Sequence, residues 1–283
     1  MTDLSLPAQA RPRWRSLRLR PVLLLSVLVL ATVLCWALLP GLFAPQDPLL
    51  AAPAKALQAP SAAHWFGTDH LGRDLYSRTV HGAGLSLRAT TLAVLIALVS
   101  GAAIGLLCGY FAGRLDAVVM RLVEVLMAVP SLLLAMAVIT VLGFGTLNIA
   151  LAVGLSSVAT FIRLTRGEVL RWRAATFVEA ALASGVGHAS ILWRHILPHA
   201  AGPVLALAAL EFGGAVLAVS ALSFLGFGAP PPQPEWGLLI AEGRNFMVAA
   251  WWYTTLPGLV VAAVVLAANQ VARALQDNRS TRG

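Results

Sequence analysis

The sequence predicts an all-α integral membrane protein with six transmembrane helices. Three observations carry that prediction. Apolar residues make up 59% of the 283 residues and charged residues only 11%, against about a quarter in a soluble domain; mean hydropathy is +0.81. The apolar residues gather into long uncharged stretches, each near the roughly 20 residues a helix needs to cross a bilayer. Basic residues concentrate in alternate connecting segments, as they do when one side of a membrane retains positive charge.

Each element follows in order. Residues 1–20 read as a basic tail, and 21–39 as the first span. A basic start followed by an apolar run and Ala51-Ala52-Pro53-Ala54 resembles a cleaved secretory leader. The apolar core of a leader is about 7–15 residues long, shorter than this stretch, so a retained helix is expected. Residues 40–88 form a long loop. Residues 89–272 hold the other five helices, at about 89–111, 121–142, 146–163, 203–227 and 247–272. Backbone polar groups in hydrocarbon must be satisfied within their own segment, so spans of this kind are helical. The break Gly143-Phe144-Gly145-Thr146 separates the third and fourth. Gly101, Gly105 and Gly109 line one face of the second, where a neighbouring helix of the same chain can approach closely. Residues 164–202 form a second long loop, 228–245 a third that opens on Pro230-Pro231-Pro232, and 273–283 a tail.

Placing the N-terminus in the cytoplasm puts 15 of the 20 basic residues inside against five acids, and five basic residues outside against five acids. Both termini are then cytoplasmic. The pI near 10.9 is therefore topological. Membrane lipid is the expected environment, and a nucleic-acid partner is not, because no polar domain gathers the arginines. Cys35 and Cys108 fall in apolar spans and read as unpaired small hydrophobes.

Enzymatic machinery is not expected. The single lysine, Lys55, precedes Ala56, so no phosphate-binding Gly-Lys-Ser/Thr exists. No metal site is expected either. His195 and His199 are separated by Pro198, which would break their helical register, and His64, His70 and His81 lack an evident ligand set. Arg121 and Glu124 can pair three residues apart on one helix face. Glu211 lies well inside a span, where a charge is costly and faces a bundle interior or water; it is a candidate for lining a solute path.

The loop 164–202 has its own pattern. Residues 177–184 are helix formers and small residues, with Ala180, Ala181 and Ala183 giving a smooth side. Gly185 and Gly187 can end that helix with positive φ, Ser190 can cap a second short helix, and Pro198 can close it. A docking element and an ordinary membrane-surface helix both fit.

Here a family resemblance enters. Glu179-Ala180-Ala181, then Gly185, then His195-Ile196-Leu197-Pro198 resembles the EAA loop of binding-protein-dependent ABC importer permeases. The stretch from His64 to Asp74 (His-Trp-Phe-Gly-Thr-Asp-His-Leu-Gly-Arg-Asp) resembles the signature after the first span of the dipeptide, oligopeptide and nickel branch, in its second or "C" type subunit. Leu222-Ser223-Phe224-Leu225-Gly226-Phe227-Gly228, Pro234-Glu235-Trp236-Gly237, Trp251-Trp252-Tyr253 and Asn269 extend the likeness over about residues 21–276. After Asn269 the family's usual Gly-Asp and Leu-Arg-Asp are replaced by Ala272-Arg273 and Leu275-Gln276-Asp277.

The resemblance implies a type I ABC importer permease fold in the bacterial inner membrane. It implies that Glu179, Ala180, Ala181, Gly185, His195, Leu197 and Pro198 couple to an ATPase subunit, which binds the ATP and Mg while this chain binds no cofactor. It implies a second homologous permease subunit and a periplasmic substrate-binding protein as further partners. Gly67, Thr68, Asp69, Gly72, Arg73, Asp74, Glu235, Trp236 and Gly237 would form a periplasmic structure or contact the binding protein. Asp69 and Asp74 can accept backbone amides in tight turns, and Arg73 can pair with either. Trp251, Trp252 and Tyr253 suit an interfacial aromatic belt. The expected solute is a di- or oligopeptide, with nickel or a metal chelate as the alternative within the branch. A membrane-embedded enzyme or passive channel is the alternative from another class.

Overall fold

The computed structural model describes residues 21–280, with side chains described as far as Gln276. The predicted tail over 1–20 and the end of the tail over 273–283 lie outside the described residues. The major helices are α1 (Pro21–Leu38), α2 (Leu75–Phe111), α3 (Gly113–Ala128), α4 (Ser131–Leu142), α5 (Thr146–Arg173), α6 (Thr176–Ala183), α7 (Leu197–Phe224), α8 (Trp236–Gly243) and α9 (Trp252–Ser280). Five helices are long and apolar enough to cross a membrane, or six when α3 and α4 count as one bent span. Among the described residues the only β pairing is an isolated bridge between Thr68 and Asp74.

Several helices are longer than their apolar stretches suggest, α7 and α9 by a few residues at one end and α2 and α5 by more. α2 begins at Leu75 rather than near 89, because Asp74 accepts a hydrogen bond from Ser77 N at 2.7 Å and caps the helix. Residues 75–88, expected as loop, are therefore four turns of helix. At 37 residues α2 is about 55 Å long, so its ends, Leu75 and Phe111, mark opposite ends of the molecule. α5 continues ten residues beyond the expected 163, to Arg173, and shortens the loop 164–202 to the segment that holds α6.

The expected single span 121–142 is broken. α3 and α4 meet at 100°. Pro130 is the cause: it has no N–H to donate and holds Val129 in an extended conformation, φ −93° and ψ 132°.

α2 and α5 make the most extensive helix pairing, and the glycine stripe explains it. A Cβ on Gly101 would lie 2.4 Å from Phe161 Cβ, one on Gly105 2.7 Å from Ile162 O, and one on Gly109 2.8 Å from Val169 Cβ. The stripe is thus used within the chain. Gly105→Val is expected to cost about 1–3 kcal/mol, as overpacking does, and to lower the melting temperature of the detergent-purified protein.

A core of Ala93, Ile139, Ile149, Val153, Val219 and Leu222 joins α2, α4, α5 and α7. α1 lies outside this bundle, with Val33 packed near Val216 and Val264. Asp116 on α3 and Arg166 on α5 form a bidentate pair that holds the bent span to the bundle. Arg121 and Glu124 pair as expected, at 3.0 Å. Their side chains are 84% and 60% exposed, so Arg121→Ala is expected to shift stability by less than about 0.5 kcal/mol in thermal melts. Cys35 and Cys108 are both free.

Candidate functional site

At the Phe111 end of the molecule, α6 packs across the ends of α5 and α7. Val178 is buried, and Ala181 and Val186 are half-buried against Tyr110, Val169, Ile191 and Ile196. The opposite face is open: Phe177, Glu179, Ala180, Leu182, Ala183 and Ser184 are exposed. Ala181, read from sequence as part of the smooth outer side, faces inward instead, because the 3.6-residue period puts it beneath Val178.

The helix ends at the first of the two expected glycines, while Gly187 has φ −65° and is extended. Gly185 has φ +78°, its N–H donates to Leu182 O at 3.0 Å, and Val186 N donates to Ala181 O at 3.1 Å. That is the Schellman arrangement, with Gly185 in the left-handed position and Ala181 and Val186 packed on the same apolar cluster.

Beyond Gly187 the structure departs from expectation. Ser190 does not cap a helix, and Pro198 does not close one. Residues 188–190 are helical, Ile191–Ile196 form a π turn, and α7 continues directly from Leu197. The wider turn, with Leu197 N bonded to Leu192 O, accommodates a proline that lacks an N–H. The helical register between His195 and His199 survives accordingly, and His199 Nδ1 lies 2.7 Å from His195 O. His195 is half-buried with Nδ1 unpartnered, Leu197 is half-buried and Pro198 exposed. Glu168 Oε2 and Trp172 Nε1 of α5 are likewise buried without partners.

At the Leu75 end, the other set of sequence-predicted residues folds into one buried network. Thr68 accepts from Gln58 N at 2.8 Å and donates to Lys55 O. Gly67 and Gly72 have φ of +75° and +77°, and a Cβ on Gly72 would lie 1.9 Å from Ala52 O. Asp69 Oδ1 accepts from Leu71 N at 2.8 Å and Arg73 N at 2.9 Å, while Oδ2 accepts from Arg73 Nε. Arg73 therefore pairs with Asp69 and not with Asp74, whose Oδ1 lies 2.9 Å from His64 Nδ1.

Two residues that sequence reasoning missed complete the network. Arg78, fully buried, reaches Glu242 at 3.1 Å and Asp69 at 3.7 Å, and Arg73 reaches Glu242 at 3.6 Å. Glu242 also accepts from Tyr253 Oη at 3.2 Å, and Tyr253 Oη meets His70 Nδ1 at 2.9 Å.

Glu235, Trp236 and Gly237 fix the neighbouring loop. Glu235 caps α8, accepting from Gly237 N at 3.1 Å, Leu238 N at 3.0 Å and Ser86 Oγ at 3.1 Å. Burial pushes its carboxyl above the usual range, an upward shift that those hydrogen bonds reduce without cancelling. Trp236 is fully buried and donates Nε1–H to Thr79 O at 3.0 Å. A Cβ on Gly237 would lie 2.2 Å from Ser220 O. The aromatic belt is corrected too: Trp251 is exposed, but Trp252 and Tyr253 are buried beside Leu75 and Ala250.

Asp69, His70 and Glu242 converge within 4.8 Å, so His70 does have carboxylate neighbours that sequence reading did not find. Arg73 and Arg78 already neutralise both carboxylates, an arrangement that repels a divalent cation.

Between the two ends, Glu211 sits midway along α7. It borders a cavity of about 120 Å³ shared with Ser131, Ser156, Ser157, Gly214 and Ala218. Among the described residues it makes no hydrogen bond or ion pair.

Comparison with known proteins follows the same outline. Residues 101–281 match the protein-family model described as binding-protein-dependent transport system inner membrane component. The chain is 36% identical to a dipeptide transport system permease protein of Alkalihalophilus pseudofirmus, covering 94% of this chain and 88% of that one. It is 40% identical to a glutathione transport system permease protein of Pectobacterium atrosepticum, covering 78% and 73%. It is 35% identical to a probable D,D-dipeptide transport system permease protein of Escherichia coli, covering 91% and 86%. The fold matches the crystal structure of an amino acid ABC transporter with histidines at a TM-score of 0.55 and 18% identity, over 72% of this chain and 94% of that one.

Proposed function

This chain belongs to the family of binding-protein-dependent transport inner membrane components, and from that premise we propose that it forms half of the membrane path of a peptide importer driven by separate ATPase subunits. It is a transport permease of the inner membrane. The observation that carries the coupling is the outward face of α6: a short helix held by its inner side on α5 and the π turn, presenting Ala180 and Leu182 to the outside, with Phe177 at its edge against Trp172 and His199.

A second permease of the same kind completes the path. An ATPase subunit, which holds ATP and Mg, grips α6 on the cytoplasmic face. A binding protein delivers peptide at the Leu75 end, which is periplasmic, and both termini are cytoplasmic by the charge asymmetry. The Asp69–Arg73–Arg78–Glu242 network acts as a clamp: it joins the start of α2 to α8 and α9, so the loop moves with the helices rather than independently. ATP and loaded binding protein favour the same state of a two-state pore, which is what coupling requires.

The experiment is transport by the complex encoded with this chain. Membrane vesicles holding the permease pair and ATPases are expected to accumulate labelled alanyl-alanine only with ATP and binding protein. Accumulation of nickel instead, or solute flux through this chain alone without ATP, would replace the reading.

A further inference from the structure

Glu211 takes no part in the elbow, the turn at Gly185 that ends α6, or in the clamp. It lies near the middle of α7, fourteen residues from Leu197 and thirteen from Phe224. No Lys or Arg occurs over 89–113, 122–162 or 195–243, so the parts of α2, α4, α5 and α7 packed around it supply no basic counterpart. An ionisable group at this depth faces protein interior or water and not lipid.

The structure supplies the setting. Glu211 borders the cavity of about 120 Å³ with hydroxyl groups from two other helices, Ser131 at the start of α4 and Ser156 and Ser157 of α5. The bend at Pro130 brings Ser131 there. Ser131 and Gly214 are exposed, so the cavity opens on the surface of the single chain. In the importer reading above, this open face with Glu211 and three serines is the one that turns to the path.

We propose that Glu211, with Ser156 and Ser157, forms a cation subsite on that path which receives the ammonium group of a passing peptide. This rests on the peptide-importer reading above. An alkylammonium has three donors and no acceptor, and one carboxylate flanked by hydroxyl oxygens suits it. A divalent metal calls for several carboxylate or imidazole ligands, and the cavity offers one. A single carboxylate attracts the cationic end and also releases it, as a transport path needs.

The test uses the assembled importer in proteoliposomes with alanyl-alanine as probe. Glu211→Gln is expected to lower uptake about tenfold, a loss on the scale of one charge-assisted contact, while binding-protein-stimulated ATP hydrolysis stays within about twofold. Glu211→Asp should restore most of the uptake. A second measurement does not depend on uptake. Ser157→Cys in a Cys35→Ala background is labelled with a cationic and an anionic methanethiosulfonate. The cationic reagent should react several-fold faster, and Glu211→Gln should abolish that preference. Unchanged uptake by Glu211→Gln, or equal labelling by the two reagents with Glu211 present, overturns the subsite and leaves the importer reading intact. Failure of the unaltered complex to take up alanyl-alanine while it hydrolyses ATP overturns the importer reading and the subsite together.

Discussion

Arg78→Ala is expected to unfold the Leu75 end of the molecule, with a loss of about 3–5 kcal/mol, the usual consequence of removing one partner from a buried ion pair. Arg78 is fully buried, and its removal leaves Glu242, 12% exposed, and Asp69, fully buried, with Arg73 alone between them. Two carboxylates sharing one guanidinium inside protein repel each other and keep their desolvation penalty. The expected readouts are low yield of the purified chain, a lower melting temperature, and proteolysis in the loop over 40–74. Arg78→Met combined with Glu242→Gln should recover much of the loss, because the pair is then removed as a unit. Equal stability of Arg78→Ala and the unaltered protein would show that the network is not a clamp.

Gly185→Val is expected to abolish transport while leaving the chain folded. The site has open space, with nothing within 4 Å of a Cβ, but its φ is +78°, where a β-branched residue is a genuine outlier. Left-handed backbone costs an ordinary L-residue roughly 1–2 kcal/mol, enough to unwind the last turn of an eight-residue helix and swing α6 away. Asn tolerates this conformation, so Gly185→Asn should retain transport. The measurement is uptake and ATP hydrolysis in parallel: the valine variant should hydrolyse ATP without responding to binding protein. Normal coupled uptake by Gly185→Val would remove the elbow from the mechanism.

The two ends of the molecule were legible in different degrees. Uncharged runs announced the spans because a charge in hydrocarbon is costly. The elbow was legible because Gly185 acts on its own neighbours, and the glycine stripe because its four-residue spacing is a local property of one helix. Arg78 and Glu242 are 164 residues apart, and no local pattern joins them. The equal counts of acids and bases outside hinted at pairing without naming partners. The bend at Pro130 has a local cause, a residue that lacks an N–H, but the apolar run around it carries the signal of a continuous span. The continuity through Pro198 was not readable, since it depends on a π turn that only the tertiary packing of Ile191 and Ile196 reveals.

The central claim is that an ATPase grips the outer face of α6. Ala180, exposed on that face, is the place to ask. With Ala180→Cys in membranes that contain the whole complex, a short thiol crosslinker should join this chain to the ATPase subunit, and addition of ATP should change the yield. A cysteine at exposed Trp65, at the other end, should give no such product. Persistent absence of the Ala180 crosslink in a complex that still imports peptide would contradict the account.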